Sequence, residues 1–491
     1  MVLAPASAIR HDVGLDAWVD EALGPVADGL SSVVFVAADL AGAQVPLIVL
    51  WLVFAGVFFT VYLRGINLRG FAEAVRIVLG KRSSAPTQGE ISAYAALSTA
   101  ISGTVGIGNI GGVAIALSLG GPGATFWMIL AGFLGMATKC AECTLGVKYR
   151  TQHPDGSVSG GPMYSLARGF AARNRPALGR ALGAFYALAM VIGCLGIGNM
   201  FQSNQAYQQF VVVTGGATSF AADHAGWFGL FLALSVALVI LGGIRSIARV
   251  AERLVPLMAA IYILGGMTVI LLNVDALPNA ILAIFAGAFT PQGISGGVVG
   301  VMVIGFQRAA FSNEAGLGSA AIAHSAVRTH HPATEGLVAL LEPFIDTVVI
   351  CTVTALVILT TVYDPQLAER GLEGIAITSA AFASTIDGSP LVVAFAALLF
   401  AFTTMISWSY YGLKGWTYLV GERPFAIRAF QIVFCGFIVL GCLLELDAVL
   451  RLSDALIFVV ALPNVVGLYV MAPEVRALLD SYWDELGPPK A

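Results

Sequence analysis

The chain has 491 residues, of which 58% are hydrophobic and only 11% charged, and its mean hydropathy is +0.86. That balance excludes an ordinary soluble domain and identifies an integral membrane protein. The net charge of -4 says little about partners, because in a membrane protein the sidedness of charge outweighs its sum.

Residues 1–43 read as an acidic extracytoplasmic segment, with Asp12, Asp16, Asp20, Glu21 and Asp28 against Arg10 alone. The segment lacks the basic end and compact apolar stretch of a signal peptide. A crossing takes roughly 20 apolar residues. On that measure a lead span lies at 45–63, followed by spans at 93–119, 122–147, 181–211, 226–244, 251–273, 294–322, 335–362, 388–416, 424–444 and 448–472. The fold class expected is therefore all-α and integral to the membrane, with eleven transmembrane helices. Between the first two spans, residues 65–82 alternate apolar and basic positions at helical spacing, as an amphipathic helix on the inner lipid surface does.

The charge distribution tests the parity of this count. Twenty of the 25 lysines and arginines fall on the side holding residues 64–90, three (Arg10, Arg370, Arg451) on the other, and Lys139 and Arg308 within spans. By the positive-inside rule the N-terminus is outside and the C-terminus cytoplasmic. The six cysteines all lie in apolar segments, which argues against a disulfide framework. Cys140 and Cys143 read as packing residues.

The span at 93–119 is interrupted at its middle by Gly103-Thr-Val-Gly-Ile-Gly-Asn109. Unwound backbone at membrane depth is tolerated only where it is buried in protein or lines a polar cavity, so the break marks a candidate binding site. A second interruption lies in 294–322, at Gln307-Arg-Ala-Ala-Phe-Ser-Asn-Glu-Ala-Gly-Leu-Gly-Ser319. The two broken spans open two successive groups of five. Five is odd, so the second group enters from the opposite side, as a 5+5 inverted repeat with two discontinuous helices does. This divides the chain into 1–43, a lead helix and amphipathic helix at 44–90, a first repeat at 91–273, a second at 274–475 and a cytoplasmic tail at 476–491. For either break alone, a packing motif competes, since Gly108 and Gly112 form a small-xxx-small pair. Two breaks in corresponding positions favour a secondary transporter. Gly106-Ile-Gly-Asn-Ile-Gly111 also satisfies the dinucleotide fingerprint, but it has no preceding strand and no acidic residue at the required distance. No organic cofactor and no nucleic acid partner is expected.

A break offers what a small zwitterion needs. N–H groups opening the second half-helix suit a carboxylate, and carbonyls closing the first suit sodium or an ammonium group. Thr104, Gly106, Gly108 and Asn109 are thus candidate substrate contacts, mostly through their backbone. On the span 388–416, Thr403 and Thr404 supply hard oxygens for sodium, against the alternative that each bonds back to a carbonyl one turn earlier. Trp408, four residues on, shares the face of Thr404 and could wall a pocket. The span 181–211 ends in amides, among which Gln202 and Asn204 are candidate contacts, with Gln205 and Gln208 competing and a membrane-edge location as the rival. Ionisable residues within spans are costly and usually functional or paired. Lys139 and Glu142 share a helical face, as do Glu342 and Asp346, and Arg308 is expected to pair with Glu314, Glu342 or Asp346 as part of a gate. His153, His324, His330 and His331 fall in cytoplasmic regions, and no nucleophile, base and acid constellation suggests an enzyme.

These motifs resemble the alanine or glycine:cation symporter family. The likeness rests on Ser102-Gly-Thr-Val-Gly-Ile-Gly-Asn-Ile-Gly-Gly-Val113, Gly120-Gly-Pro-Gly-Ala124, Gly160-Gly-Pro-Met163, Phe311-Ser-Asn-Glu-Ala-Gly-Leu-Gly-Ser319, Glu342-Pro-Phe-Ile-Asp-Thr347 and Trp408-Ser-Tyr-Tyr-Gly412. It implies the amino acid-polyamine-organocation fold and sodium-driven uptake of alanine or glycine across a prokaryotic inner membrane. It further implies that the first broken span, Gln202, Phe311 and Trp408 contact substrate and that Thr404 helps hold sodium. Ser102-Gly103 stands where many such proteins have Ala-Ala, which bears on pocket size. A proton-coupled symporter is the nearest alternative. Proton-coupled relatives of this fold place a lysine on the fifth core span, and Leu254 to Asn273 has none. A channel would need a continuous polar pathway, whereas polar residues here cluster at the breaks.

Overall fold

The computed structural model describes residues 25, 28–40, 43–82, 89–289, 297–367, 374–444 and 446–486. Most of the acidic N-terminal segment, the start of the expected span at 294–322 and the end of the C-terminal tail lie outside these residues. An antiparallel ribbon of Ala37–Leu40 with Ala43–Pro46, in register Ala37 opposite Pro46, precedes the first apolar helix.

Apart from a second short antiparallel ribbon, Thr151–Gln152 with Val158–Ser159, the remaining regular structure is helical. Apolar α1 (Leu47–Tyr62) leads to amphipathic α2 (Phe71–Val78), whose buried face carries Glu73, Ala74 and Ile77. Burial alone would raise the Glu73 carboxyl, but Arg82, Arg76 and Tyr482 together hold it below the ordinary carboxylate value. Through the Tyr482 hydroxyl, 3.1 Å from Glu73 Oε1, this surface helix is fastened to the C-terminal helix.

α3 (Ala93–Thr104) and α4 (Gly111–Gly120) form the first broken span, bent by 61°. Gly103 remains helical, so the break occupies the residues after Thr104, where Val105 and Gly106 are extended and Ile107–Asn109 form one tight turn. α5 (Gly123–Lys148) follows. α6 (Pro176–Leu195) continues through a wide turn at Gly196–Met200 into α7 (Phe201–Val213), then come α8 (Ala225–Ile240) and α9 (Gly243–Leu272). After α10 (Leu277–Phe289), α11 (Gly297–Asn313) and α12 (Ser319–His324) flank the second interruption. A span at Pro332–Leu359 precedes α13 (Ile375–Ala383), α14 (Pro390–Val420), α15 (Pro424–Leu443) and α16 (Leu446–Leu486).

Among the described residues, seven helices are long and apolar enough to cross a bilayer, or eight with the bent pair counted as one span. α1 and α8 are apolar but shorter, at 16 residues each, about 24 Å of helix against a hydrocarbon core of about 30 Å. The two faces of the fold differ as a membrane requires. Helices carrying the breaks are sheathed, and α8 and α9 leave Leu234, Leu238, Leu264 and Leu271 exposed where lipid would cover them.

Candidate functional site

The two breaks meet at the centre of the bundle, and side chains from several helices answer their loose backbone groups. Such satisfaction is obligatory away from water, where an unmade backbone hydrogen bond is expensive. At the first break, Gly106 N–H donates to Asn109 Oδ1 at 2.9 Å and Ile107 N–H to Gln202 Oε1 at 3.1 Å. Gly103 O accepts from Trp408 Nε1 at 3.1 Å, Asn109 O from Thr354 Oγ1 at 2.8 Å, and Ile110 O from Thr378 Oγ1 at 3.2 Å. Two of the N–H groups expected to be open are therefore engaged by side chains.

Asn109 uses its other end as a clamp. Its amide donates to Asp346 Oδ1 at 2.6 Å and to Ser312 Oγ at 3.0 Å, joining the first break to α11 and to the span Pro332–Leu359. Ser312 and Thr347 hydroxyls complete the shell of Asp346 at 2.7 and 2.6 Å.

The second break, Glu314 to Gly318, is held from outside its own span. Glu314 adopts a positive φ of 57°, uncommon for a residue with a side chain. Tyr186 Oη donates to Leu317 O at 2.9 Å, Asn464 Nδ2 to Gly316 O at 2.9 Å, and Gly318 N–H to Glu142 Oε1 at 3.1 Å. Glu314 itself accepts from Ser319 and from Trp408.

The candidates named from sequence separate at this level. Thr404 Oγ1 is buried and has no hydrogen-bond partner among the described residues. A Cβ on Gly106 would stand 2.7 Å from it and 3.0 Å from Gln202 Oε1, so glycine is what lets these oxygens approach the break. Thr403 takes the local course, donating to Phe400 O at 3.2 Å and facing Met258 of α9. Thr104 likewise bonds back to Ala100 and Ile101 carbonyls. Phe311 packs over Gly108 and against Phe201, ring centroids 5.3 Å apart. Gln202 reaches the break, whereas Asn204 turns away, donating to Gly441 and Leu444 carbonyls. All these amides are buried, which overturns the membrane-edge alternative.

The expected ion pairs rearrange. Lys139 pairs with Glu342 at 2.9 Å, Glu142 with Gly318 and Asn464, and Asp346 with Asn109. The three carboxylates proposed as partners of Arg308 are thus engaged elsewhere, and the Arg308 guanidinium lies 5.4 Å from the centre of the Phe311 ring. His324 is fully buried, with Nδ1 2.7 Å from Glu335 Oε2.

Sequence reasoning missed three contacts. Gly198, in the wide turn, lies against Trp408 so closely that any Cβ would overlap the indole. Ser102 and Ser407 hydroxyls bond one another and tie α3 to α14. Asn464 reaches the second break from the last helix. A lone buried amide in an apolar run was the signal available for it.

Comparison with known proteins bears on this geometry. The model of the Sodium:alanine symporter family matches residues 28–488. Sodium/alanine symporter AgcS of Methanococcus maripaludis is 37% identical over 428 residues, covering 87% of this chain and 92% of that one. An uncharacterized transporter of Haemophilus influenzae is 37% identical over 457 residues, 90% and 94% of the two chains. In three dimensions the chain is similar to MhsT, solved in complex with L-phenylalanine, at TM-score 0.55 and 16% identity over 78% of this chain and 89% of that one. That likeness concerns the fold. Given a family match over nearly its whole length, laid on two broken helices tied together at the bundle centre, the chain belongs to the sodium:alanine symporter family and is a multi-pass membrane transporter, not an enzyme.

Proposed function

We propose that the protein carries a small neutral amino acid, alanine or glycine, into the cell together with sodium by alternating access. The observation that carries this reading is the buried Thr404 hydroxyl, unanswered among the described residues and aimed at Gly106 in the first break. A hard oxygen beside extended backbone is a donor set suited to sodium. Thr403, bonded within its own helix, contributes packing. The amino acid then lies along the break between Gly106 and Asn109, with Gln202, Phe311 and Trp408 as walls. Fully buried Trp408 limits the size of what fits.

In this reading the eleven spans form a lead helix and two inverted groups of five, over 91–273 and 274–475. The N-terminus lies outside a prokaryotic inner membrane and the tail from 476 inside, with α2 resting on lipid. Asn109, Asp346, Glu314 and Trp408 form the joint between the two breaks. Purified protein in liposomes tests the proposal: an inward sodium gradient drives alanine or glycine accumulation. Equal uptake with potassium replacing sodium at constant pH would overturn it, and a response to a pH gradient alone would favour proton coupling.

A further inference from the structure

Beside the second break, on the side of the membrane that holds residues 149–175, three carboxylates surround one ammonium. Lys139 and Glu342 are 0% exposed and Glu142 and Glu314 2% exposed, and Lys139 is within electrostatic reach of all three. The other titratable groups facing them are Cys143 on α5, Tyr186 on α6, Tyr411 on α14 and Asp346 beyond Glu342. None of these supplies a second positive charge. Fully ionised, the four groups would hold a net charge of about -2 at membrane depth, a cost that burial makes prohibitive unless it is neutralised.

Lys139 pairs with Glu342 at 2.9 Å, and the hydrogen bonds distinguish the two remaining carboxylates. Glu314 has both oxygens engaged, by Trp408 and Ser319. Glu142 Oε2 and Glu342 Oε2 are buried with no partner among the described residues, and Tyr411 Oη, also without one, belongs to the same group. A metal ion is disfavoured. Glu142 Oε1 already accepts from Gly318 N–H and from Asn464 Nδ2 at 2.8 Å, so donors rather than oxygens converge on it.

We propose that Glu142 forms a proton-binding site, distinct from the sodium position at Thr404, whose occupancy sets the second break. A proton on Glu142 weakens its hold on Gly318 N–H and Asn464, because a neutral carboxyl accepts less strongly than a carboxylate. Deprotonation tightens that hold. The site thereby links the pH of the side holding residues 149–175 to the mobility of Glu314 to Gly318, while sodium still drives transport.

Infrared difference spectroscopy of the full-length protein, titrated in ordinary and heavy water, tests this without requiring transport. The unmodified protein shows a protonated-carboxyl band near neutral pH that Glu142→Gln diminishes. Sodium-driven uptake varies several-fold with the pH of that side in the parent, and Glu142→Gln flattens the profile while leaving half-saturation by sodium unchanged. No protonated-carboxyl band in the parent, or a band that Glu142→Gln leaves unaltered, overturns the proposal, and the first of these results needs no variant to fold. Uptake that loses its sodium dependence would instead count against the transport reading and leave the infrared result standing.

Discussion

Trp408 Nε1 lies 3.1 Å from Glu314 Oε1, and the same N–H is 3.1 Å from Gly103 O. One donor thus serves the carbonyl near the end of the first half-helix and the carboxylate that opens the second break. Trp408→Phe keeps much of the ring and removes the donor. Leaving buried acceptors short of it costs roughly 1 to 3 kcal/mol, so uptake should slow about tenfold if the link matters to the transport barrier. Trp408→Ala should do something different, opening space so that bulkier amino acids gain relative to alanine. Unaltered rates and selectivity in well-folded forms of both would dismiss the link.

The two threonines are predicted to part company. Thr404→Ala should raise the sodium concentration for half-maximal uptake by about tenfold or more, at a cost of roughly 1 to 3 kcal/mol. Thr403→Ala, which loses a bond within its own helix, should change it less than threefold, by under about 0.6 kcal/mol. Sodium activation curves in liposomes check both, and the reverse order would move the site to Thr403.

Gly198→Ala should displace the Trp408 indole, since the added carbon overlaps its ring. Overpacking of this kind typically costs about 1 to 3 kcal/mol, and here it also shifts a pocket wall. We expect strongly reduced alanine uptake with retained expression. Partial recovery when Trp408 is shortened to Leu in the same chain would confirm that the clash is the cause; no recovery would point to the wide turn itself.

Stability should fall on acidification through Glu73. Its carboxyl is held below the ordinary value, because the attraction of Arg82 and Arg76 outweighs burial. The stabilisation is therefore present above the unfolded value, ~4.3, and is lost as pH falls through the lower folded value. Both arginines stand partly in water, so the effect should be about 1 kcal/mol or less. Thermal melting in detergent should show Glu73→Gln below the parent at neutral pH and the two converging in acid; a constant gap across pH would mean that charge is not involved.

Sidedness can be read by labelling. In a chain whose own cysteines are replaced, Ala172→Cys should react only from the cytoplasmic side and Asp387→Cys only from outside, both positions being exposed. Gly160 is unsuitable, because a side chain there would meet Ser325. Labelling of both from one side would overturn the span parity.

The first break was legible because three glycines and an asparagine inside an apolar run weaken a helix at a depth where lipid demands that it be continuous. Its position was legible to within a turn: Gly103 stays helical, and Trp408 answers its carbonyl where the helix ends. What could not be read were relations between distant helices. Lys139 finds Glu342 rather than nearby Glu142, since helical spacing describes one face and says nothing of the face opposite. Thr403 and Thr404 are adjacent, yet successive helical side chains point about 100° apart, and only packing decides which one meets the break. Asn204 was indistinguishable from Gln202 until the turn at Gly196–Met200 set the register of α7. Gly198 gave no signal in a chain with 56 glycines.

The fastenings on either side of the first break belong to different neighbours. Below it, Ser102 binds α3 to Ser407 of α14; above it, Asn109 binds the turn to Asp346 and Ser312. Between these anchors run only Gly103 to Gly108, with Val105 and Gly106 extended. If the two halves rock against each other as proposed, the motion is concentrated into a few torsions next to Thr404, so the proposed cation site and the hinge of the molecule would share one place.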